Sequence, residues 1–365
     1  MARIDSIRLR WLRGELGRPW ATDVTGNHVI VVDVLLDDGT AGTGFSWTPH
    51  VGASAVHAFL RDELVPRALG RPAEPESLWI ALWEEVHEAG GGGITSIALA
   101  GLDIALWDAR ARSAGRPLAD EIGRHRDEVA AYGSGINLHY PMDELVAQSR
   151  RFVDAGNRAV KIKVGLPSLD DDVARVAAVR EAIGPDVALR VDANQRWRLE
   201  QAIIAAHALA EYDIDWLEEP LRADDQLGHR ALAGQSPIPL AIGENLHTVH
   251  RFAEVIASGT AGVVQPNIVR VGGITPFRQI AQFAADAGVR LAPHLLPELS
   301  VPLALALPQV ECVEAVEGAS FAELGVLAAE TPVSVAAGIG RSTARSGLGL
   351  TFRPATDRDP REGLS

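Results

Sequence analysis

Three carboxylates recur at a constant spacing in the second half of the chain. Asp192, Glu218 and Glu244 each follow a short apolar run, and 26 residues separate each one from the next. A single acidic residue after a strand is usually a helix N-cap or a first-turn charge. Three of them, at the ends of successive apolar strands, are costly to bury unless they are paired or bind a metal. Carboxylate oxygens are the ligands that Mg²⁺ prefers, so the spacing predicts a magnesium site.

Two lysines precede this series by one unit. Lys161 and Lys163 are two residues apart in a predicted strand, so both side chains point the same way. An isolated pair of this kind is usually solvated surface, but two ammoniums beside a divalent cation depress each other's pKa. A lysine with a lowered pKa can act as a general base near neutral pH. Further predicted strand ends carry Asn267, Glu314 and His294, and His294 could act as a base or an acid from the opposite face.

A regular alternation of apolar runs and helical segments must position these residues. From about residue 128 onward, apolar runs alternate with helical stretches, which implies a parallel sheet. Eight such units over roughly 200 residues fit a closed (β/α) barrel, in which the strand ends converge on one mouth. The runs span residues 128–134, 159–165, 187–194, 214–220, 239–245, 262–267, 290–294 and 311–316.

The first part of the chain has a different pattern of predicted strands and helices. Residues 1–45 read as strands, and helical patterns follow at 51–68, 75–88 and 94–114. We therefore predict an N-terminal α+β capping domain over residues 1–125, joined by the C-terminal tail 346–365. The catalytic domain is predicted over residues 126–345 as a modified (β/α) barrel of the TIM type, so the fold class is α/β.

The bulk composition narrows the class of protein. A net charge of −14 over 365 residues argues against a nucleic-acid partner, because such binding relies on basic residues. No run of about 18 or more apolar residues is present, so we expect no membrane span. The N-terminus also lacks the apolar region of a signal peptide. Cys312 is the single cysteine, which excludes an internal disulfide and a thiolate zinc cluster. We expect a cytoplasmic homo-oligomer.

Longer motifs extend this interpretation across nearly the whole chain. They are GLDIALWDARARSAGRPL, VKIKVG, VDANQ, EEP, GEN, QPNIVRVGGIT, PHLLPELS and SGLGLTF. With these motifs the sequence resembles the enolase superfamily, in the subgroup of mandelate racemase and muconate lactonizing enzyme. Sites of this superfamily use a lysine or histidine base together with Mg²⁺.

The resemblance implies roles for the matching residues. By similarity, Mg²⁺ would be held by Asp192, Glu218 and Glu244. Lys163 would be the base on one face of the substrate, with Lys161 beside the substrate carboxylate. His294 would act from the other face, and Glu314, as a donor if protonated, would hydrogen-bond the carboxylate as it becomes an enolate. Contacts to the substrate are implied for Ser134 and Asn194, and for the capping-loop residues Trp20, Thr22, Asp23, Trp47 and His50.

One position departs from the family pattern. At the end of the sixth barrel strand the family has an aspartate that pairs with the histidine, whereas this chain has Asn267. We expect Asn267 to orient His294 by accepting its Nδ1–H, but an amide cannot stabilise the imidazolium by charge. The pKa of His294 should therefore lack the rise that a carboxylate causes. Lys163 is then expected to carry the chemistry mainly from one face.

The predicted function is Mg²⁺-dependent removal of the proton next to a carboxylate, through an enolate. Dehydration of a sugar acid is the preferred reaction, because a polar capping loop suits a polyhydroxy substrate, which makes the enzyme a lyase. The alternatives are an isomerase that racemises or epimerises a 2-hydroxy acid, or one that cycloisomerises a lactone. A non-catalytic barrel retained for binding is a remote alternative, since no residue of the expected site is lost except the aspartate replaced by Asn267.

Overall fold

A three-stranded antiparallel sheet begins the chain. The computed structural model describes residues 2–20, 24–343 and 345–356. The sheet consists of β1 (Ile4–Glu15), β2 (Gly26–Leu36) and β3 (Ala41–Thr48), paired in that order. Gly39 lies in the turn between β2 and β3 and has a φ of 86°, a left-handed conformation that a residue without a Cβ adopts readily.

Helices cover one face of this sheet. They are α1 (Ala53–Phe59), a π-helical turn (Leu60–Leu64), α2 (Val65–Ala68), α3 (Pro75–Val86), a 3₁₀ turn (His87–Ala89), α4 (Ile94–Ser113) and α5 (Leu118–Ile122). Helix α4 approaches the sheet very closely at Gly44. A Cβ on this residue would lie only 2.3 Å from the backbone nitrogen of Ala105, so the approach requires a residue without a side chain. The three predicted helical stretches overlap these elements to within two residues at each end, and together with the sheet the helices form the α+β cap.

Eight parallel strands form the barrel. They are β4 (Glu128–Ser134), β5 (Ala159–Lys163), β6 (Ala188–Asp192), β7 (Ile214–Glu218), β8 (Leu240–Ile242), β9 (Val263–Val264), β10 (Arg290–Leu291) and β11 (Cys312–Val316). Each strand from β4 to β9 pairs with the next one along the chain. Strand β11 pairs with β4, and a bridge between Leu291 and Val310 joins β10 to the chain just before β11, which closes the barrel. The predicted fold class is confirmed.

The outer layer of the barrel is helical. Its helices are α6 (Met142–Asp154), α7 (Leu169–Ile183), α8 (Leu199–Leu209) with a 3₁₀ turn (Ala210–Tyr212), α9 (Gln226–Ala233), α10 (Val249–Ala257), α11 (Ile274–Ala287) and α12 (Pro297–Ala306). Within the described ranges, none of the helices combines the length and the apolar composition needed to cross a membrane.

A hairpin after β11 was not anticipated from the sequence. Strands β12 (Val333–Ala336) and β13 (Ile339–Ser342) are antiparallel, and β13 pairs with residues 128–130 at the start of β4. That part of β4 is available because the ladder between β4 and β5 begins only at Gly133. Strands of four residues leave too short an alternation to be recognised in a sequence.

The chain then returns to the cap. The backbone nitrogen of Leu348 donates to Asp108 of α4 at 2.6 Å, and the Phe352 ring centre lies 5.8 Å from that of Phe45. These contacts agree with the expected return of the tail, of which the structure describes residues 346–356. The domain boundaries at residues 125 and 346 stay predictions.

Helix α4 also connects the cap to the barrel. Asp103 accepts hydrogen bonds from the backbone nitrogen and the hydroxyl of Thr275, at 3.0 and 2.6 Å. The indole of Trp107 donates to the same hydroxyl at 3.0 Å. Ser96 donates to the carbonyl of Arg270 at 2.7 Å. The segment from Arg270 to Thr275, which follows β9 and begins α11, is therefore held by the cap.

We expect Asp103→Asn to change the pH dependence of stability. Burial, partly opposed by the hydrogen bonds from Thr275, raises the pKa of Asp103 to about 7. The folded state then binds more protons than the unfolded state between about pH 4 and pH 7, so the free energy of unfolding falls as pH rises through that window. The variant should lose this pH-dependent contribution to the free energy of unfolding, which is on the order of a few kcal/mol.

Urea unfolding of both proteins at about pH 5 and pH 8 measures this difference. Burial also raises the pKa of Glu298 to about 7, but Glu298 is present in both proteins and cancels in the comparison. The same pH dependence in the two proteins would contradict the prediction.

Candidate active site at the barrel mouth

The carboxyl ends of successive strands bring the predicted residues together. The parallel register places Lys163 of β5 beside Asp192 of β6, and Asp192 beside Glu218 of β7. Glu244 lies just after the end of β8, in the same position of the next unit. All four side chains are buried. The repeat spacing of the sequence is thus converted by the sheet into a cluster.

The three carboxylates meet the geometric demand of a metal site. One oxygen from each of Asp192, Glu218 and Glu244 lies within 4.8 Å of the other two. The pKa of Glu218 is raised to about 8, mainly by burial and secondly by the charge of the Asp192 carboxylate. Full ionisation of the cluster is therefore disfavoured unless a cation is bound, and its donors are the hard oxygens that suit Mg²⁺. These residues fit a divalent cation.

Both lysines are paired with carboxylates. Lys161 Nζ lies 2.5 Å from Glu218 Oε1 and 2.7 Å from Glu314 Oε1, while Lys163 donates to Asp192 Oδ2. Burial lowers the pKa of Lys163, but the neighbouring carboxylates, of which Asp192 has the largest effect, together outweigh burial and leave that pKa raised. The predicted mutual lowering between the two ammoniums is thus outweighed in this structure, because carboxylates from neighbouring strands reach both of them.

Glu314 accepts three hydrogen bonds. Its donors are the Ser134 hydroxyl at 2.7 Å, the backbone nitrogen of Leu295 at 3.0 Å and Lys161. Burial raises the pKa of Glu314, but Lys161, followed by His294 and Lys163, reverses this and leaves the pKa below its ordinary value. Glu314 is therefore an acceptor in this structure, and its expected role as a donor would require it to gain a proton. Ser134 reaches the predicted site through Glu314.

His294 contacts a different carboxylate of the triad from the one that Lys163 contacts. Its Nε2 is 3.1 Å from Glu244 Oε2, whereas Lys163 contacts Asp192. Burial lowers the pKa of His294, which agrees with the expectation of a neutral ring. The amide nitrogen of Asn267 lies 3.1 Å from His294 Nδ1. The expectation that Asn267 accepts a hydrogen bond from Nδ1 is therefore wrong, since the nitrogen and not the oxygen of the amide faces the ring.

The remaining predicted substrate contacts have varied surroundings. Asn194 donates to both oxygens of Asp192, from its backbone at 2.8 Å and from its amide at 3.3 Å, and so orients a triad carboxylate. Trp47 lies in the core of the cap, where its indole donates to Asn27 at 3.0 Å. His50 is exposed, and Trp20 is half-buried against the core. Thr22 and Asp23 lie outside the described residues, and all these substrate contacts stay predictions.

Three buried or half-buried residues of the site were missed. Gln265 donates to Glu218 Oε2 at 2.7 Å. Arg270 donates to the carbonyl of Glu244 at 2.7 Å. Glu219 accepts from Gln195 and Asn245, and burial raises its pKa well above the ordinary value. Glu219 belongs to the motif EEP, and Gln265 and Arg270 belong to the motif QPNIVR. Their nearness in sequence to the predicted residues Glu218 and Asn267 was the signal that could have identified them.

The use of lysine is a further signal that could have been read from the sequence. Of 34 lysine and arginine residues, only those at 161 and 163 are lysines. Arginine stays protonated in proteins, whereas a buried lysine can lose its proton. Lysine confined to this strand indicates that the site needs a basic group that can titrate.

Comparison with known families agrees with this geometry. Residues 144–356 match the family described as enolase C-terminal domain-like. Residues 18–123 match the N-terminal domain of mandelate racemase and muconate lactonizing enzyme. The chain belongs to the mandelate racemase/muconate lactonizing enzyme group of the enolase superfamily.

Relatives within this group act on sugar acids. The chain is 37% identical to a 3,6-anhydro-α-L-galactonate cycloisomerase of Streptomyces coelicolor, over 79% of this chain and 80% of the relative. It is 36% identical to an L-talarate/galactarate dehydratase of Salmonella typhimurium, over 82% of this chain and 79% of the relative. A solved L-talarate dehydratase from Polaromonas sp. JS666, complexed with Mg and L-glucarate, superposes with a TM-score of 0.87 at 34% identity, covering 97% of this chain and 96% of that one.

We expect Mg²⁺ to raise the melting temperature of the protein through the triad. A ligand at about 100 times its Kd stabilises the folded state by about 2.7 kcal/mol. Glu244→Gln removes one ligand charge and should abolish most of the rise, while EDTA should reverse the rise in the wild type.

Glu254→Gln provides the matched control, because Glu254 is an exposed carboxylate of α10 that pairs with Arg251. Thermal melts with Mg²⁺ and with EDTA compare the three proteins. An equal Mg²⁺-dependent shift in Glu244→Gln and in the control would place the ion at another site.

Proposed function

We propose that the protein removes the proton next to the carboxylate of a sugar acid and expels an oxygen from the neighbouring carbon. The observation that carries the proposal is a buried carboxylate triad in which Asp192 contacts Lys163 and Glu244 contacts His294, so that two groups able to exchange a proton border the site. A substrate bound at the triad would present its acidic carbon between these two groups. The preferred reaction is dehydration to a 2-keto-3-deoxy acid.

The chemistry explains the residue types. A proton next to a carboxylate is very weakly acidic, because its loss adds a second negative charge to an anion. Asp192, Glu218 and Glu244 would hold Mg²⁺, and the chemistry supplied by the bound ion is stabilisation of that charge as a Lewis acid. Lys161, buried among Glu218 and Glu314, supplies fixed positive charge beside the same position, which is electrostatic preorganisation.

Lys163 is proposed as the base. Its ammonium must first lose a proton, and the contact that opposes this loss is the one with Asp192. The Asp192 carboxylate is also a proposed metal ligand, so a cation held there would weaken the attraction of Asp192 for the Lys163 proton. The neutral amine then takes the substrate proton.

Cycloisomerisation is a second candidate. It is favoured by the identity of 37% to a cycloisomerase. The two reactions share proton removal and differ in the fate of the departing oxygen. In dehydration that oxygen leaves as water, whereas in cycloisomerisation of an anhydro sugar acid it stays attached to the product. The mass of the product therefore separates the two.

We further propose a small sugar acid as the partner of the site and a homo-oligomer in the cytoplasm. The relatives named above act on galactarate, L-talarate or an anhydrogalactonate, which supports the substrate class. The net charge of −14 disfavours nucleic acid as a partner.

We expect Lys163→Ala to stop both turnover and exchange of the α-proton with solvent deuterium. Loss of a general base typically costs about 10²- to 10⁴-fold in rate. Lys163→Arg serves as the matched variant, because arginine keeps the charge that faces Asp192 but cannot act as the base. It should retain the Mg²⁺-dependent rise in melting temperature and still lose exchange.

The assay uses galactarate, L-talarate, glucarate and 3,6-anhydrogalactonate with Mg²⁺ in D₂O. It measures new 2-keto acid, deuterium at C2 and the mass of the product. Exchange at the wild-type rate in Lys163→Arg would move the base elsewhere, and a wild-type enzyme without turnover or exchange on any sugar acid would overturn the proposed function.

A further inference from the structure

We propose that Asn267 holds His294 in the neutral tautomer that carries its proton on Nε2. In this tautomer His294 donates a hydrogen bond at the barrel mouth and has no lone pair there to accept a proton. Asn267 is thus a positioning residue, and it makes the second face of the site a donor instead of a base. The tautomer itself follows from the hydrogen bonds around Asn267, while its catalytic consequence rests on the proposed function.

The orientation of the Asn267 amide follows from its own neighbours. Its oxygen accepts from the backbone nitrogens of Val269 and Arg270, at 3.1 and 3.0 Å. Its nitrogen faces His294 Nδ1 at 3.1 Å and the His294 carbonyl at 3.4 Å. An amide turned by 180° would direct its N–H groups at two N–H donors and its oxygen at a carbonyl oxygen. Only the observed orientation satisfies all four contacts.

The two backbone donors cannot easily move away. Within the turn, the backbone nitrogen of Val271 donates to the Asn267 carbonyl at 3.0 Å, and that of Gly273 donates to the Ile268 carbonyl at 2.8 Å. From the cap, Ser96 binds the Arg270 carbonyl at 2.7 Å, and Trp79 binds the Gly272 carbonyl at 2.8 Å. Asn267 itself is fully buried. The amide is therefore locked by a turn that both domains hold.

The position of the ring proton follows from this amide. Asn267 Nδ2 is a donor only, so His294 Nδ1 must accept and cannot carry a proton. A neutral imidazole has one proton, which must then lie on Nε2. This assignment agrees with the contact at 3.1 Å between Nε2 and Glu244 Oε2, where Nε2–H donates to the carboxylate. A proton on Nδ1 would leave two N–H groups facing each other in a buried site, with neither satisfied.

The chemical consequence is an asymmetric site. On the side of Lys163, the C–H bond of the substrate breaks, its proton moves to Lys163 Nζ and its electron pair stays on the substrate. On the side of His294, a substrate oxygen near the triad would accept a hydrogen bond from the Nε2–H group, which also donates to Glu244. The His294 face therefore stabilises charge without removing a proton.

Nitrogen NMR of the Mg²⁺-saturated enzyme tests the tautomer without any substrate. The protein is labelled with ¹⁵N-histidine, and the His294 signals are assigned by their loss in His294→Gln. We expect a protonated Nε2 and an unprotonated Nδ1 in the wild type. In Asn267→Asp, a carboxylate oxygen replaces the Nδ2 donor, so the proton should appear on Nδ1. Asn137→Asp makes the same amide-to-carboxylate change beside Lys163, where Asn137 accepts from the Lys163 backbone nitrogen at 2.9 Å, and should leave the His294 pattern unchanged.

Deuterium exchange tests the catalytic consequence. The substrates are galactarate and L-talarate, or the corresponding C2 epimers of whichever sugar acid the enzyme turns over. We expect the wild type to exchange the α-proton of one configuration only, and Asn267→Asp to gain exchange of the other by at least about tenfold, the low end of what an added general base supplies. A protonated Nδ1 in the wild type, or an unchanged pattern in a folded Asn267→Asp, would overturn the proposal. If Asn267→Asp does not fold, the wild-type spectrum alone decides. Absence of exchange in every protein would instead count against the proposed function, whatever the tautomer.

Discussion

The burial of several carboxylates at one end of the barrel is the constraint that shapes this site. An isolated buried carboxylate is strongly disfavoured unless cations or hydrogen-bond donors surround it. Lys161 bridges Glu218 and Glu314, Gln265 and Trp216 donate to the second oxygen of Glu218, and Asn194 donates to Asp192. Even so, burial and the Asp192 charge keep the pKa of Glu218 at about 8. A divalent cation held by the triad would favour the ionised form of Glu218 and so lower this pKa.

The same carboxylates decide how the lysines behave. Two ammoniums side by side repel each other, and this repulsion alone lowers the pKa of both. In the folded chain the nearer charges are Glu218, Glu314 and Asp192, which raise the pKa of the lysines more than burial lowers it. A cation held by the triad would therefore share the Asp192 carboxylate with Lys163, and the protonation of Lys163 would then be coupled to occupancy of the triad.

The cap contributes more than a cover for the barrel. Helix α4 binds the segment after β9 through Ser96, Asp103 and Trp107. That segment supplies the backbone donors that orient the amide of Asn267, which in turn faces His294. A hydrogen-bond direction at the site thus depends on residues about 170 positions earlier in the chain. This dependence gives the two-domain arrangement a physical role in the proposed chemistry.

The sequence by itself determined the repeating unit, the barrel and the membership of the triad. One polar residue at the end of each short apolar strand is a local pattern, and a closed parallel sheet brings such ends together wherever the helices lie. The tertiary structure decided what depends on groups from distant segments. The hairpin of β12 and β13 forms because β4 has an unpaired length at its start. The direction of the bond between Asn267 and His294 is set by two backbone N–H groups in a turn held by the cap, and neither the composition nor the spacing of the sequence records which atom of an amide they will meet.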